Sequence, residues 1–213
     1  MQDHRVGNNP NPLTNKFETP LHVACEYDST ASVVSHLLTV PQVDPNPRDD
    51  RGRTPLHIAA IHGKRKSAKV LLKDSRVQVN ARDGGGHTPF LAAAQNHRIA
   101  MMKVFLADAR TKYNAQNDVG DTALHVALKS HTYMMSDTID VVKLLLRDRR
   151  INVTQRNVLG ATALHDAAAW CNKEIFMLLL DDGRFDPCSK GSRGMFPSPG
   201  PLRFVVHCIF GIS

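Results

Sequence analysis

No run of 18 apolar residues occurs anywhere in this 213-residue chain, so the sequence offers no candidate for a membrane-spanning helix. Its first ten residues, Met1 to Pro10, lack an apolar core, and no secretory signal is expected there. Cysteine is scarce: Cys25, Cys171, Cys188 and Cys208 show neither close pairing nor ligand spacing, which predicts reduced, mostly buried thiols. Neither His-Glu-x-x-His nor Cys-x-x-Cys is present, so no metal is expected. Gly84-Gly85-Gly86 is followed by no Gly-Lys-Ser/Thr, which removes a phosphate cradle and the cofactors that need one. Cys171 lies six residues after His165 with no third group to orient a base, and Asp181-Asp182 falls in a turn. No constellation points to a reaction, and an enzyme is not expected.

What is present is a phrase used five times: Thr19-Pro-Leu-His-Val-Ala, Thr54-Pro-Leu-His-Ile-Ala, Thr88-Pro-Phe-Leu-Ala-Ala, Thr122-Ala-Leu-His-Val-Ala and Thr162-Ala-Leu-His-Asp-Ala. The threonines stand 35, 34, 34 and 40 residues apart. A period in the thirties means stacked copies of one small unit that cannot bury its apolar face alone. The second copy reads most clearly. Thr54 is placed as an N-cap with Pro55 at the first helical position. Leu56, Ala59 and Ala60 share a face, and Gly63 stops the helix. Ala68, Val70, Leu71 and Leu72 carry helical spacing up to Asp74-Ser75. Val77 to Asn80 is expected to be extended, and Asp83 to Gly86 to be a turn.

Helix, turn, helix and a hairpin-like finger, with this period and phrase, resemble the ankyrin repeat. The turn pairs Asp49/Gly52, Asp83/Gly86, Asn117/Gly120 and Asn157/Gly160 carry the likeness further, while Thr14 and Phe17 replace them in the first copy, as suits a cap. The resemblance implies an all-α ankyrin-repeat solenoid with β-hairpin-like fingers. The expected organisation is a flexible segment 1–13, a repeat domain 14–190 (copies about 17–51, 52–85, 86–119, 120–159 and 160–190) and a tail 191–213. That tail reads as a degenerate sixth copy or cap. The family's histidine bonds within and between loops, which gives His22, His57, His125 and His165 a structural role beside Thr19, Thr54, Thr88, Thr122 and Thr162. Copies stack ~10 Å apart, too far for such histidines to share one ion.

Partner contacts in such proteins come from finger tips and the exposed face of each first helix. By position these are Arg51, Arg53, His87, Asp118, Asp121, Val158 and Leu159 on fingers, and Tyr27, Ile61, His62, Gln95, Asn96, Lys129 and Trp170 on helices. The strip turns apolar at its carboxyl end, where the chain's one Trp stands, and aromatic anchors are enriched at interface centres. The implied function is a non-catalytic interaction module that binds a partner protein as a monomer. Small-molecule substrates, nucleic acid and membrane insertion are not expected. The expected location is the cytoplasm, with the nucleus as an alternative for a regulator that sequesters a transcription factor. A hint toward it is Lys64-Arg65-Lys66 with Lys69, in a stretch (52–85) holding eight Lys/Arg against two Asp. No aromatics interleave with these charges, as base stacking requires. Asn80 is similar to ankyrin asparagines that hydroxylases modify, although Gln78 stands where an acidic residue is usual. In the fourth copy about six extra residues fall between the two helices, with Ser136 expected as the second helix's N-cap.

Overall fold

The computed structural model describes residues 13–27, 29, 31–130, 135–169 and 173–186, and among them contains ten helices and no strand. The helices are α1 (Pro20–Cys25), α2 (Ala31–Thr39), α3 (Pro55–His62), α4 (Arg65–Lys73), α5 (Pro89–Gln95), α6 (Ile99–Ala107), α7 (Ala123–Lys129), α8 (Met135–Arg147), α9 (Ala163–Ala169) and α10 (Lys173–Asp181). The odd-numbered helices touch one another in sequence and form an inner row. The even-numbered helices do the same outside it, and each pair packs within its own copy.

The inner helices α1, α3, α5 and α7 each start behind an extended threonine cap, most clearly in the second copy. Thr54 holds an extended backbone (φ −92°, ψ 165°), its side chain caps the backbone N–H of His57, and Pro55 follows where an N–H has no partner to lose. The same capping arrangement opens α1 and α7. Gly63 then ends α3 in the left-handed conformation at φ +71°. In the third copy His97 takes that conformation at φ +48°.

Packing follows from the phrase. Its third residue, Leu21, Leu56, Phe90, Leu124 or Leu164, is buried in each copy. Fully buried Ala59, Ala60, Ala93 and Ala94 let the outer helices approach closely. Phe90 meets Phe105 edge to face at 6.3 Å, tying α5 to α6 in the middle of the stack. Cys25 is a buried free thiol whose ionisation burial disfavours; the other three cysteines lie outside the described residues.

Two local expectations need correction, and a third is sharpened. Val77 to Asn80 is not extended but a pair of turns, closed by Val77 N–H to Asp74 O and Ala81 N–H to Gln78 O, which drives Val77 and Val79 into the core. The fingers are hairpin-like turns without strands among the described residues. Among the described residues each closes on itself, and successive fingers are joined by one backbone bond, such as Gly84 N–H to Arg51 O at 2.8 Å, too few to propagate a strand. Ser136 lies inside α8, which already begins at Met135, so it is not the N-cap.

Candidate functional site

The expected binding strip stands on a polar lattice that fixes each finger. Asp49 Oδ1 accepts the backbone N–H groups of Arg51 and Arg53 at 3.0 and 2.7 Å, folding the loop over its own side chain. Asp83, Asn117 and Asn157 repeat the arrangement. Burial acts to raise Asp83, but hydrogen bonds from His87 and from the Gly85 backbone outweigh it and hold the carboxyl at about 2. Thr14 does the same work in the first finger, accepting from Lys16 and Glu18 N–H groups, as its position in the sequence implied.

The repeated histidines join copies. His57 Nδ1 lies 3.1 Å from the Thr54 backbone N–H and so must accept, while Nε2 lies 2.9 Å from the His87 carbonyl and must donate. Those two partners admit only the neutral Nε2–H tautomer. Burial agrees, pushing His57 down to about 4. His22 reaches the Arg53 carbonyl and His125 that of Ala161 in the same way. His165 makes the bond within its copy, to Thr162. In the third copy Leu91 replaces the histidine and is fully buried, and His97 instead carries the link, 3.1 Å from the Ala127 carbonyl.

The candidate contact residues divide by exposure. Arg51, His62, Gln95, Asp118, Val158, Leu159 and Tyr27 are exposed, and Arg53, Ile61, His87, Asn96 and Lys129 half-buried. Arg53 is tied to Asp49 at 2.7 Å, and His87 Nε2 lies 3.2 Å from the Asn117 amide. Asp121 is withdrawn from the surface. It is 4% exposed, paired with Lys129 at 2.7 Å and hydrogen-bonded by the Asn157 amide at 3.0 Å. Trp170 lies outside the described residues.

Asp121, His125 and Asp166 bring three ligand-type atoms within 4.8 Å of one another. The Lys129 ammonium already serves both carboxylates, at 2.7 and 3.4 Å, and both His125 nitrogens are committed to Thr122 and Ala161. An ion would have to expel the lysine and break a copy-to-copy bond. Burial pushes Asp166 up to about 6, against the pull of Lys129.

Two recurring devices escaped the sequence reading. Asp74-x-Arg76, Asp108-x-Arg110, Asp148-x-Arg150 and Asp182-x-Arg184 each fold arginine onto aspartate and aim the guanidinium at a carbonyl of the preceding copy, as from Arg76 to Leu38 at 2.9 Å. The arginine in turn holds Asp74 below the usual carboxylate range. Asn46, Asn80 and Asn114 clamp the next copy with both ends of the amide; Asn80 donates to Arg110 O and accepts from Lys112 N–H, each at 2.7 Å. Both signals were open to view as repeats of Asp-x-Arg and of Asn, but their targets lie 30 or more residues away.

A model of ankyrin repeats (3 copies) matches residues 3–83 and 90–191, and the chain therefore belongs to the ankyrin repeat family. The match enters the segment expected to precede the repeats. Among solved structures, the crystal structure of the ankyrin repeat domain of Bcl-3, described as a unique member of the IkappaB protein family, is similar. Its TM-score is 0.76 at 24% identity over 90% of this chain and 81% of that one, a likeness of fold. No curated protein matches by sequence. Ankyrin repeats generally mediate protein–protein interaction and are generally non-enzymatic. No helix among the described residues is long and apolar enough to cross a membrane.

Proposed function

We propose that this chain is a non-catalytic adaptor that binds a partner protein along its finger tips and inner helices, with the strongest contact on the fourth and fifth fingers. The observation that carries the reading is a run of exposed apolar side chains there. Val119, Val158 and Leu159 are 51%, 64% and 59% exposed, and their tips are joined by Val158 N–H to Val119 O at 3.1 Å. Apolar tips on a lattice already closed by its own hydrogen bonds gain nothing for the fold and present a preformed surface to a partner, so little ordering entropy is lost on docking. Tyr27 continues the strip at the opposite end, also exposed. The module acts as a monomer in the cytoplasm and uses no cofactor.

The test is a quantitative pull-down with the whole chain and with Val158→Glu/Leu159→Glu. Proteins captured by the first and lost by the second, at unchanged helical circular dichroism, support the reading; an identical capture profile refutes it. A second reading, a nuclear regulator that sequesters a transcription factor as inhibitor-type ankyrin proteins do, has the basic residues Lys64, Arg65 and Lys66 in its favour. Nuclear exclusion of a fluorescent fusion with those three neutralised is its expected signature. Hydroxylation of Asn80 is a separate proposal. The amide is held at both ends, so the clamp must open first, and mass spectrometry showing no added oxygen in native protein rejects it.

A further inference from the structure

We infer that the outer groove between α4 and α6 is a second docking surface, shaped and charged for an acidic amphipathic helix of a partner protein. The groove encloses about 540 Å³. Arg65 and Lys69 stand on its α4 wall and Lys103 on its α6 wall, all exposed. Between them Ile99 and Val104 form a half-buried apolar floor. Neither helix contains an acidic residue. The aspartates at their carboxyl ends, Asp74 and Asp108, are held by Arg76 and Arg110 at 2.7 and 2.8 Å.

Two neighbours on the same outer row show that this charge is not a property of every groove. The one between α8 and α10 is of similar size, about 560 Å³, but sets Asp181 and Asp182 among its cations, with Arg149 3.8 Å from Asp182. At the other end α2 carries no Lys, Arg, Asp or Glu at all. The positive field is therefore concentrated over α4 and α6, where carboxylates of a partner would be drawn in. A recessed apolar floor between cationic ridges suits a rod about 10 Å across, whose apolar stripe enters the floor while flanking carboxylates meet the ridges. A flat bilayer reaches the ridges and not the floor. Bases would need stacking aromatics, and the one aromatic of the two helices, Phe105, is fully buried. The groove lies on the outer row and the fingers serve the inner one, so two partners fit at once.

The probe is a synthetic peptide of about 18 residues, roughly five helical turns, with leucines at helical spacing flanked by glutamates. Its controls are the same composition scrambled, oligoglutamate, and phosphatidylserine vesicles. Fluorescence anisotropy with the whole chain should show saturable binding of the patterned peptide alone. Arg65→Glu/Lys69→Glu should weaken it at least about tenfold, as should raising salt from roughly 50 to 500 mM. Lys103→Gln, a milder change, should weaken it less, and Val158→Glu/Leu159→Glu should leave it unchanged. No binding, equal binding of the scrambled or oligoglutamate controls, vesicle binding in place of peptide binding, or indifference to both groove variants overturns the inference.

Discussion

Val23 and Ile58 occupy the same place in the repeated phrase, yet Val23 is 42% exposed and Ile58 only 4%. Ala92 and Val126, the next two occupants, are as buried as Ile58. The place faces the preceding copy, since its last occupant, Asp166, reaches back to Lys129. What differs is the neighbour and not the phrase: α3 has α1 in front of it, and α1 has no helix in front of it among the described residues. Leu13, Tyr27 and Val33 complete an apolar hollow of about 420 Å³ around Val23. The comparison teaches that burial here belongs to the junction between copies, so identical residues are worth different amounts at an end and in the middle.

The sharpest way to break that comparison is to truncate both residues. Ile58→Ala should cost about 3 kcal/mol in urea unfolding, as buried large-to-small changes do, and Val23→Ala less than about 0.5 kcal/mol. Equal losses would mean that the phrase carries its own stability. Next come two glycines. Gly120 sits at φ +75°, and a Cβ there would fall 2.8 Å from the Val158 backbone nitrogen; Gly183 sits at the same φ with nothing within 4 Å. Gly120→Ala should cost about 2 kcal/mol or more and Gly183→Ala only the left-handed penalty of about 1 kcal/mol, in the same unfolding experiment.

Acid should act chiefly through the interior. Unfolded histidine takes up its proton near pH 6.5, whereas folded His57 resists until about pH 4. Between those values the unfolded state binds more protons, so stability falls as pH drops, by up to about 1.4 kcal/mol per unit for this one group. His22 and His125, also lowered by burial, act in the same direction, and Asp166, raised to about 6, opposes them. Thermal unfolding across this window should show the fall, and His57→Gln should flatten it. The smallest expected effect is Asn80→Ala, about 1 kcal/mol for two partly exposed bonds, read as a small shift in the urea midpoint.

Most of the fold was legible because its signals are local and recur. Thr54, Pro55 and Gly63 act within one turn of where they stand, and Thr14 could be matched to Asp49 by position alone. Asp121 was misplaced because its burial depends on Asn157 in the next copy and on Lys129 a full helix away, and no window around residue 121 contains both. Val77 and Val79 read as alternating, yet both side chains point inward because two consecutive turns replace a straight segment. The exposed pair Val158 and Leu159 was found from the repeat, whereas the groove between α4 and α6 needed the two outer helices placed side by side.

His22 hands a proton donor forward to Arg53, while Arg76 hands one backward to Leu38. The leading side of a copy is thus chemically unlike its trailing side, and two leading sides cannot reproduce a native junction. Lengthening or shortening such a chain from within preserves these handshakes only when the excised or inserted stretch runs from one threonine to the next. Duplication in register is therefore a gentle path of change for this molecule, and a single-residue slip a harsh one.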